Sequence, residues 1–178
     1  LGGVPGSVGG AVIMNAGAYG VELFEYLCEV ELVQGGCHQV RRREEIQYGY
    51  RYTDLKGSVV LEAVLQLPSV DPKEALRRRR ELLDRRNRTQ PLDMPNAGSI
   101  FKNPPGDYAG RLIEAAGLKG FSIGGAMVSP RHANFLVNTG SATARDMWRL
   151  IEHVRQTVRD RFGVELELEI ELVGEGFG

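Results

Sequence analysis

Apolar residues recur with two periods along the chain, and each period assigns an element type. Residues 27–33 and 37–41 read as strands, with Gly35 and Gly36 between them as a hairpin signal. In residues 59–67 the side chains of Val59, Leu61, Ala63, Leu65 and Leu67 share one face. Glu62 and Gln66 take the other, the alternation of a half-buried strand. Asp71 and Pro72 then open a helix as N-cap and first helical residue. It runs to about Arg88 with a modest stripe of Leu76, Leu82 and Leu83.

A second helix is predicted over residues 108–116, closed by Gly117 in the left-handed conformation. Residues 134–138 read as a strand. Thr143 and Asp146 form the capping pair of a longer helix with the amphipathic stripe Met147, Leu150, Ile151, Val154, Val158 and Phe162, ended by Gly163. Beyond it Val164, Leu166, Leu168, Ile170 and Leu172 alternate with Glu165, Glu167, Glu169 and Glu171, which predicts a final strand. Residues 1–20 are glycine-rich and read as loop and tight turn around a short apolar stretch at residues 11–14. The Pro-rich residues 89–106 read as a hinge, a domain boundary or a site loop. This order of elements is that of an α+β protein.

Composition narrows the function classes. A chain of 178 residues suits one domain or two small ones, and a net charge of −1 leaves no global basic field to recruit nucleic acid or an anionic membrane. The basic side is almost all arginine, the residue suited to bidentate anion contacts. Cys28 and Cys37 have neither zinc-site spacing nor the number for a disulfide framework, and a reducing cytoplasm is the expected setting. No uncharged apolar run approaches a membrane span, and no signal-peptide pattern is visible. Leu1 opens directly into the glycine segment without an initiator Met, as expected of an internal piece of a longer protein.

Four segments carry candidate chemistry. Residues 3–10, GVPGSVGG, read either as a phosphate-approaching glycine loop, with Ser7 as an added donor, or as a structural turn. The small residues of NAGAYG that follow favour a flat or phosphorylated ligand. The arginines at 77–80, 85, 86 and 88 are interleaved with Glu74, Glu81 and Asp84 at ion-pairing spacings, which favours a solvated face. In YGYRY, Arg51 sits among aromatics, as a cation–π contact or as an anion clamp. In NAGSIFKNP, Ser99 can present its hydroxyl as a proton donor, although a local side-chain turn is the plainer reading. Glu169 is one of four similar glutamates, and His38, His132 and His153 read as isolated surface or satisfied histidines.

Together GVPGSVGGAV, MNAGAYG, YGYR, NAGSIFKNPPG, AGRLIEAAGLKG, HANFLVNTG and FGVELE resemble the UDP-N-acetylenolpyruvoylglucosamine reductase family over essentially the whole chain, in its more compact second type. The resemblance implies the later part of a vanillyl-alcohol-oxidase-type FAD-binding domain over residues 1–88. A small α+β substrate domain would follow over 89–166. Residues 167–178 would return as a terminal strand toward an N-terminal subdomain not in this sequence. It also implies FAD and NADPH as cofactors, a UDP-sugar enolpyruvyl ether as substrate, and a place in peptidoglycan precursor synthesis. No metal, nucleic acid, membrane or obligatory protein partner is expected.

By position, Ser99 matches the family's proton donor, Arg51 its catalytic arginine and Glu169 its catalytic glutamate. Tyr50, Lys102 and Asn103 match positions shaping the substrate site. Gly6, Ser7, Gly9, Gly10, Asn15 and Gly17 match the flavin-facing segment. One departure is local: where the family usually has Pro-Glu-Val-Arg, this chain has Leu168-Glu169-Ile170-Glu171. The competing expectations are another oxidoreductase of the same flavin fold, or a non-catalytic or incomplete fragment.

Overall fold

A computed structural model describes residues 3–174. The chain forms two compact units, Leu1–Leu83 and Asp84–Gly178. The division falls inside a helix, ahead of the Pro-rich segment read as a hinge.

The first unit opens with a helix where the sequence suggested only loop: α1, Val8–Ile13. Ser7 caps it, its Oγ accepting from the Gly10 amide at 3.1 Å. Gly9 eases the packing, since a Cβ there would stand 3.3 Å from the Val60 Cβ, a tight contact. Tertiary contact thus overrides the poor helix propensity of two glycines. Two short strands follow, β1 (Gly17–Ala18) and β2 (Val21–Glu22), paired antiparallel. The expected hairpin forms from β3 (Leu27–Gln34) and β4 (Cys37–Arg42), with Gly35 and Gly36 both at positive φ. A further hairpin joins β5 (Tyr48–Gly49) to β6 (Tyr52–Thr53). Strand β7 (Val59–Leu65) lies on the other side of β3, giving the order β4-β3-β7. Val12, Phe24, Val30, Leu32 and Leu55 are the centre of this unit's core.

The single apolar face expected for residues 59–67 is broken by a bulge. Glu31 pairs with Glu62 but Leu32 pairs with Val60, so Leu61 is the extra residue. The alternation flips there: Val60, Ala63 and Leu65 pack on the core, while Val59 and Leu61 stay 62% and 54% exposed.

Helix α2, Pro72–Thr89, starts as expected, with the Asp71 carboxylate accepting from the Lys73 amide at 2.7 Å. It has no buried residue, and Arg77 pairs with both Glu74 and Glu81, in keeping with a solvated face.

The second unit is a four-stranded antiparallel sheet packed with two helices. Its strands are β8 (Asn96–Ser99), β9 (Ser122–Ile123), β10 (Ala126–Val128) and β11 (Phe135–Asn138), in the order β8-β11-β10-β9. Its helices are α3 (Ala109–Ala115) and α4 (Ala144–Phe162). Both ends of α4 are as expected: Thr143 and Asp146 form a reciprocal capping box, and Gly163 closes the helix at φ 68°. Leu150, Ile151, Val154 and Val158 enter the core with Phe101, Leu112, Ile113 and Leu136.

The strictly alternating segment after Gly163 is not a strand. Among the described residues it makes one isolated bridge, Leu168 to Phe101, before the chain bends. Its alternation records burial instead: Leu166 is in the core, and Val164, Leu168 and Ile170 pack against it. Leu172 is exposed, and residues 175–178 lie outside the described residues.

Candidate functional site

In the first unit, the glycine segment and the β5–β6 hairpin are laced together by side chains. Asn15 is completely buried at φ 45°, a left-handed conformation that Asn tolerates. Its Nδ2 donates to Glu22 Oε2 at 2.8 Å and to the Gly49 carbonyl at 3.0 Å, and its Oδ1 accepts from the Phe24 amide at 3.1 Å. Thr53 Oγ1 donates to the Ile13 carbonyl. Gly17 is held close enough to β2 that a Cβ would stand 2.6 Å from the Val21 carbonyl oxygen.

Arg51 occupies the tip of the same hairpin. Its φ is 54°, an uncommon conformation for a long side chain. Its Nη2 donates to the Gly17 carbonyl at 2.8 Å, and its Cζ lies 4.9 Å from the centre of the Tyr50 ring. The sequence left cation–π contact and anion clamp open; the cation–π contact is present, and the guanidinium is held half-buried at a fixed place. In the same unit, Val8, Ala11, Ala16, Ala18, Tyr26 and Leu65 line a largely apolar pocket of about 380 Å³.

In the second unit, the strand that carries Ser99 runs on past β8 and is gripped on both edges. Ser99 stands opposite Phe135 of β11, and the preceding Gly98 has φ 80°. On one edge, the Ile100 amide donates to the Asn134 carbonyl at 2.9 Å. On the other, the Glu169 amide donates to the Ile100 carbonyl and the Lys102 amide to the Glu167 carbonyl, both at 2.8 Å. Ser99 and Glu169, far apart in sequence, therefore lie on neighbouring segments.

Lys102 is on the same stretch, with its Nζ 3.4 Å from Glu167 Oε2. The Asn103 Oδ1 accepts from the Ala109 amide at 3.1 Å, which ties the loop to the start of α3. The resemblance assigned no role to Asn134. The residue is 4% exposed, and its carboxamide bonds both backbone groups of Phe101, the Oδ1 accepting at 3.0 Å and the Nδ2 donating at 2.8 Å. The sequence signal was present in HANFLVN, but nothing in spacing ranks one polar residue of that run above another.

Nearby titratable groups are shifted by identifiable partners. The Asp107 carboxyl falls to about 2, chiefly through its hydrogen bonds from Arg111 and then through the Tyr108 amide. Burial lowers the His132 pKa; its ring stacks edge-on to Phe135 with centroids 4.8 Å apart.

The C-terminal domain family of UDP-N-acetylenolpyruvoylglucosamine reductase matches residues 90–173. A relative named UDP-N-acetylenolpyruvoylglucosamine reductase from Chloroherpeton thalassium is 54% identical over 97% of this chain and 58% of its own length. One of the same name from Caldanaerobacter subterraneus is 48% identical over 97% of this chain and 58% of its own length. The crystal structure of UDP-N-acetylenolpyruvylglucosamine reductase from Thermus caldophilus superposes with a TM-score of 0.81 at 43% identity, covering 95% of this chain and 61% of that one. The chain thus spans somewhat more than half the length of these relatives. Fold and sequence thus agree with UDP-N-acetylenolpyruvoylglucosamine reductases over nearly all of the chain, and residues 90–173 match the C-terminal domain of that family.

Proposed function

We propose that the polypeptide carrying this chain reduces the enolpyruvyl ether of UDP-N-acetylglucosamine to the lactyl ether of UDP-N-acetylmuramate, a cytoplasmic step of peptidoglycan precursor synthesis. In balance, NADPH and one proton are consumed, the vinyl carbon–carbon bond becomes single, and NADP⁺ is released. The observation that carries this reading is the pairing of residues 100–102 with residues 167–169, which sets the segments of Ser99 and Glu169 side by side. In this reading residues 1–88 are the later part of a vanillyl-alcohol-oxidase-type flavin domain, 89–166 the substrate domain, and 167–178 the terminal segment.

The first unit fits part of a flavin dinucleotide. The pocket of about 380 Å³ is walled by Ala11, Ala16 and Ala18, which leave room for a flat ring. Gly6 has φ 144° with open space where a Cβ would stand, so a ligand can approach its backbone. Gly6 and the Ser7 hydroxyl are the residues to hold it. Gly9, Gly10, Asn15 and Gly17 support that surface from behind, through the packing and hydrogen bonds described above. FAD, when bound and reduced by NADPH, would supply the hydride that reaches C3 of the enolpyruvyl group.

This chain's own groups do the rest. The Ser99 hydroxyl delivers the proton to C2. In the first unit Arg51 is permanently charged and suits a substrate carboxylate on which negative charge develops. Glu169 completes the acid–base pair with Ser99. Tyr50, Lys102 and Asn103 shape the substrate's surroundings, with Tyr50 also holding the guanidinium by its ring face.

The test is Ser99→Ala in the full-length, FAD-loaded polypeptide, followed by flavin absorbance in two separate half-reactions. Bleaching by NADPH should proceed at the wild-type rate. Recovery of absorbance on adding the enolpyruvyl substrate should slow by about 100-fold or more, the usual contribution of a positioned acid. An equal loss in both half-reactions rejects Ser99 as the proton donor.

A further inference from the structure

We infer that Asn134 is the positioning residue of the Ser99–Glu169 pair, an inference that rests on the reading just given. Asn134 precedes β11, where the chain leaves the sheet and its backbone gives its last bond to the Ser99 strand at the Ile100 amide. Its side chain takes over. The carboxamide accepts from the Phe101 amide and donates to the Phe101 carbonyl, the two bonds that an opposite residue of a continuing strand would make. With the Ile100 amide on its own carbonyl, Asn134 holds one edge of residues 100–101 by three hydrogen bonds.

The opposite edge of that short stretch carries the Glu169 and Glu167 bonds. Asn134 therefore fixes a single strand to which both functional residues are referred: Ser99 by direct chain continuity, Glu169 through the Ile100 carbonyl. Phe101 and Ile100 are 1% and 3% exposed, so their side chains stay anchored in the core without Asn134. What the carboxamide controls is the register and tilt of the backbone above that anchor. A displacement of about 1 Å at reacting groups can cost about 100-fold in rate.

The chemistry of the amide offers a discriminating test. Asn134→Ala removes both bonds at any pH. Asn134→Asp keeps the acceptor, but when ionised it places a second oxygen against the Phe101 carbonyl. When protonated it regains a donor and restores both bonds. Desolvation at so buried a place raises the pKa of such a carboxyl.

The experiment uses the full-length, FAD-loaded polypeptide with wild type, Asn134→Ala and Asn134→Asp. The flavin half-reactions are followed between pH 5.5 and 8.5 (about the range the protein fold tolerates), with amide hydrogen exchange alongside. We expect bleaching by NADPH to be unchanged in both variants. Recovery by the enolpyruvyl substrate should fall by about 100-fold in the alanine variant at every pH. In the aspartate variant it should fall similarly at high pH and return toward wild type as pH falls. Exchange of the Phe101 and Glu169 amides should quicken by about 10-fold or more, while that of Val154 in α4 should not change.

Equal loss in both half-reactions, recovery within 2-fold of wild type in the alanine variant (about the noise of such rates), or no pH-dependent rescue would overturn the assignment. If the alanine variant does not fold, the aspartate variant decides. Failure of both to fold overturns it as well, because Asn134 would then be holding up the unit and not the pair. Wild type that bleaches with NADPH but never recovers with the enolpyruvyl substrate would reject the proposed function instead.

Discussion

The Glu169 amide donates to the Ile100 carbonyl at 2.8 Å, so a glutamate near one end of the second unit is fixed beside the residue that follows Ser99. The bond is made by backbone groups. The Ile100 side chain is buried in the core below. Substitutions of the Glu169 side chain leave this bond in place and can be read as tests of the proposed chemistry.

Arg51 offers the clearest such reading in the first unit. Its left-handed backbone, the bond to the Gly17 carbonyl and the Tyr50 ring all fix a planar guanidinium. Arg51→Lys keeps the charge but loses the fork and the stacking. Substrate-driven recovery of flavin absorbance should fall by about 10- to 100-fold, with bleaching by NADPH unaffected, in stopped-flow traces of the full-length polypeptide.

Asn15→Ala should act on stability first. It leaves the Gly49 carbonyl, the Phe24 amide and the Glu22 carboxylate without this partner at a site that is 0% exposed. A loss of about 2–4 kcal/mol is expected in urea unfolding of the first unit, the range for a broken buried network. A loss below 0.5 kcal/mol, roughly the surface-substitution range, would mean that water replaces the amide.

Gly125→Ala tests a close approach in the second unit. A Cβ there would stand 2.3 Å from the Ala142 amide nitrogen, which is backbone and cannot swing aside. Destabilisation of about 1–3 kcal/mol is expected from chemical denaturation. Gly117→Ala, at φ 74° but in open space, isolates the cost of backbone strain alone and should be milder, about 1 kcal/mol.

The Asp107–Arg111 pair sets an acid-side dependence. The Asp107 pKa in the folded chain is about 2, below its ordinary value of 3.8, so the ionised form favours folding. Its contribution is complete above the unfolded pKa near 3.8 and is lost as pH falls through about 2. The stability difference between wild type and Asp107→Asn should therefore be flat above about pH 5 and shrink between pH 4 and 2, roughly the window of those two pKa values. A difference that grows on acidification would contradict the pairing.

The legible part of the sequence was the part governed by local rules. The hairpin at Gly35 and Gly36, the Asp71 start of α2, and the Thr143 box and Gly163 cap of α4 all depend on a few neighbouring residues. What escaped depends on distant partners. α1 needs Val60 to receive Gly9, and the break at Leu61 needs the register of β3. The segment after Gly163 alternates as a strand would, yet among the described residues it pairs only with 100–102. Motif resemblance singled out Arg51 in the first unit and Ser99 and Glu169 in the second as candidates, while Asn134 emerged only once its amide was seen standing in for a backbone.

The bridge between Phe101 and Leu168 also bears on the order of folding. It closes a long loop that contains α3, the rest of the sheet and all of α4, and loop closure on that scale costs several kcal/mol of chain entropy, about (3/2)RT ln n plus a constant. Such a contact is a poor nucleus. α4 must first seat Val154 and Val158 in the core, and Gly163 must then reverse the chain, before residues 167–169 can find their edge. The pairing beside Ser99 is therefore a late event in folding, and its segment is among the first to open when the second unit is destabilised.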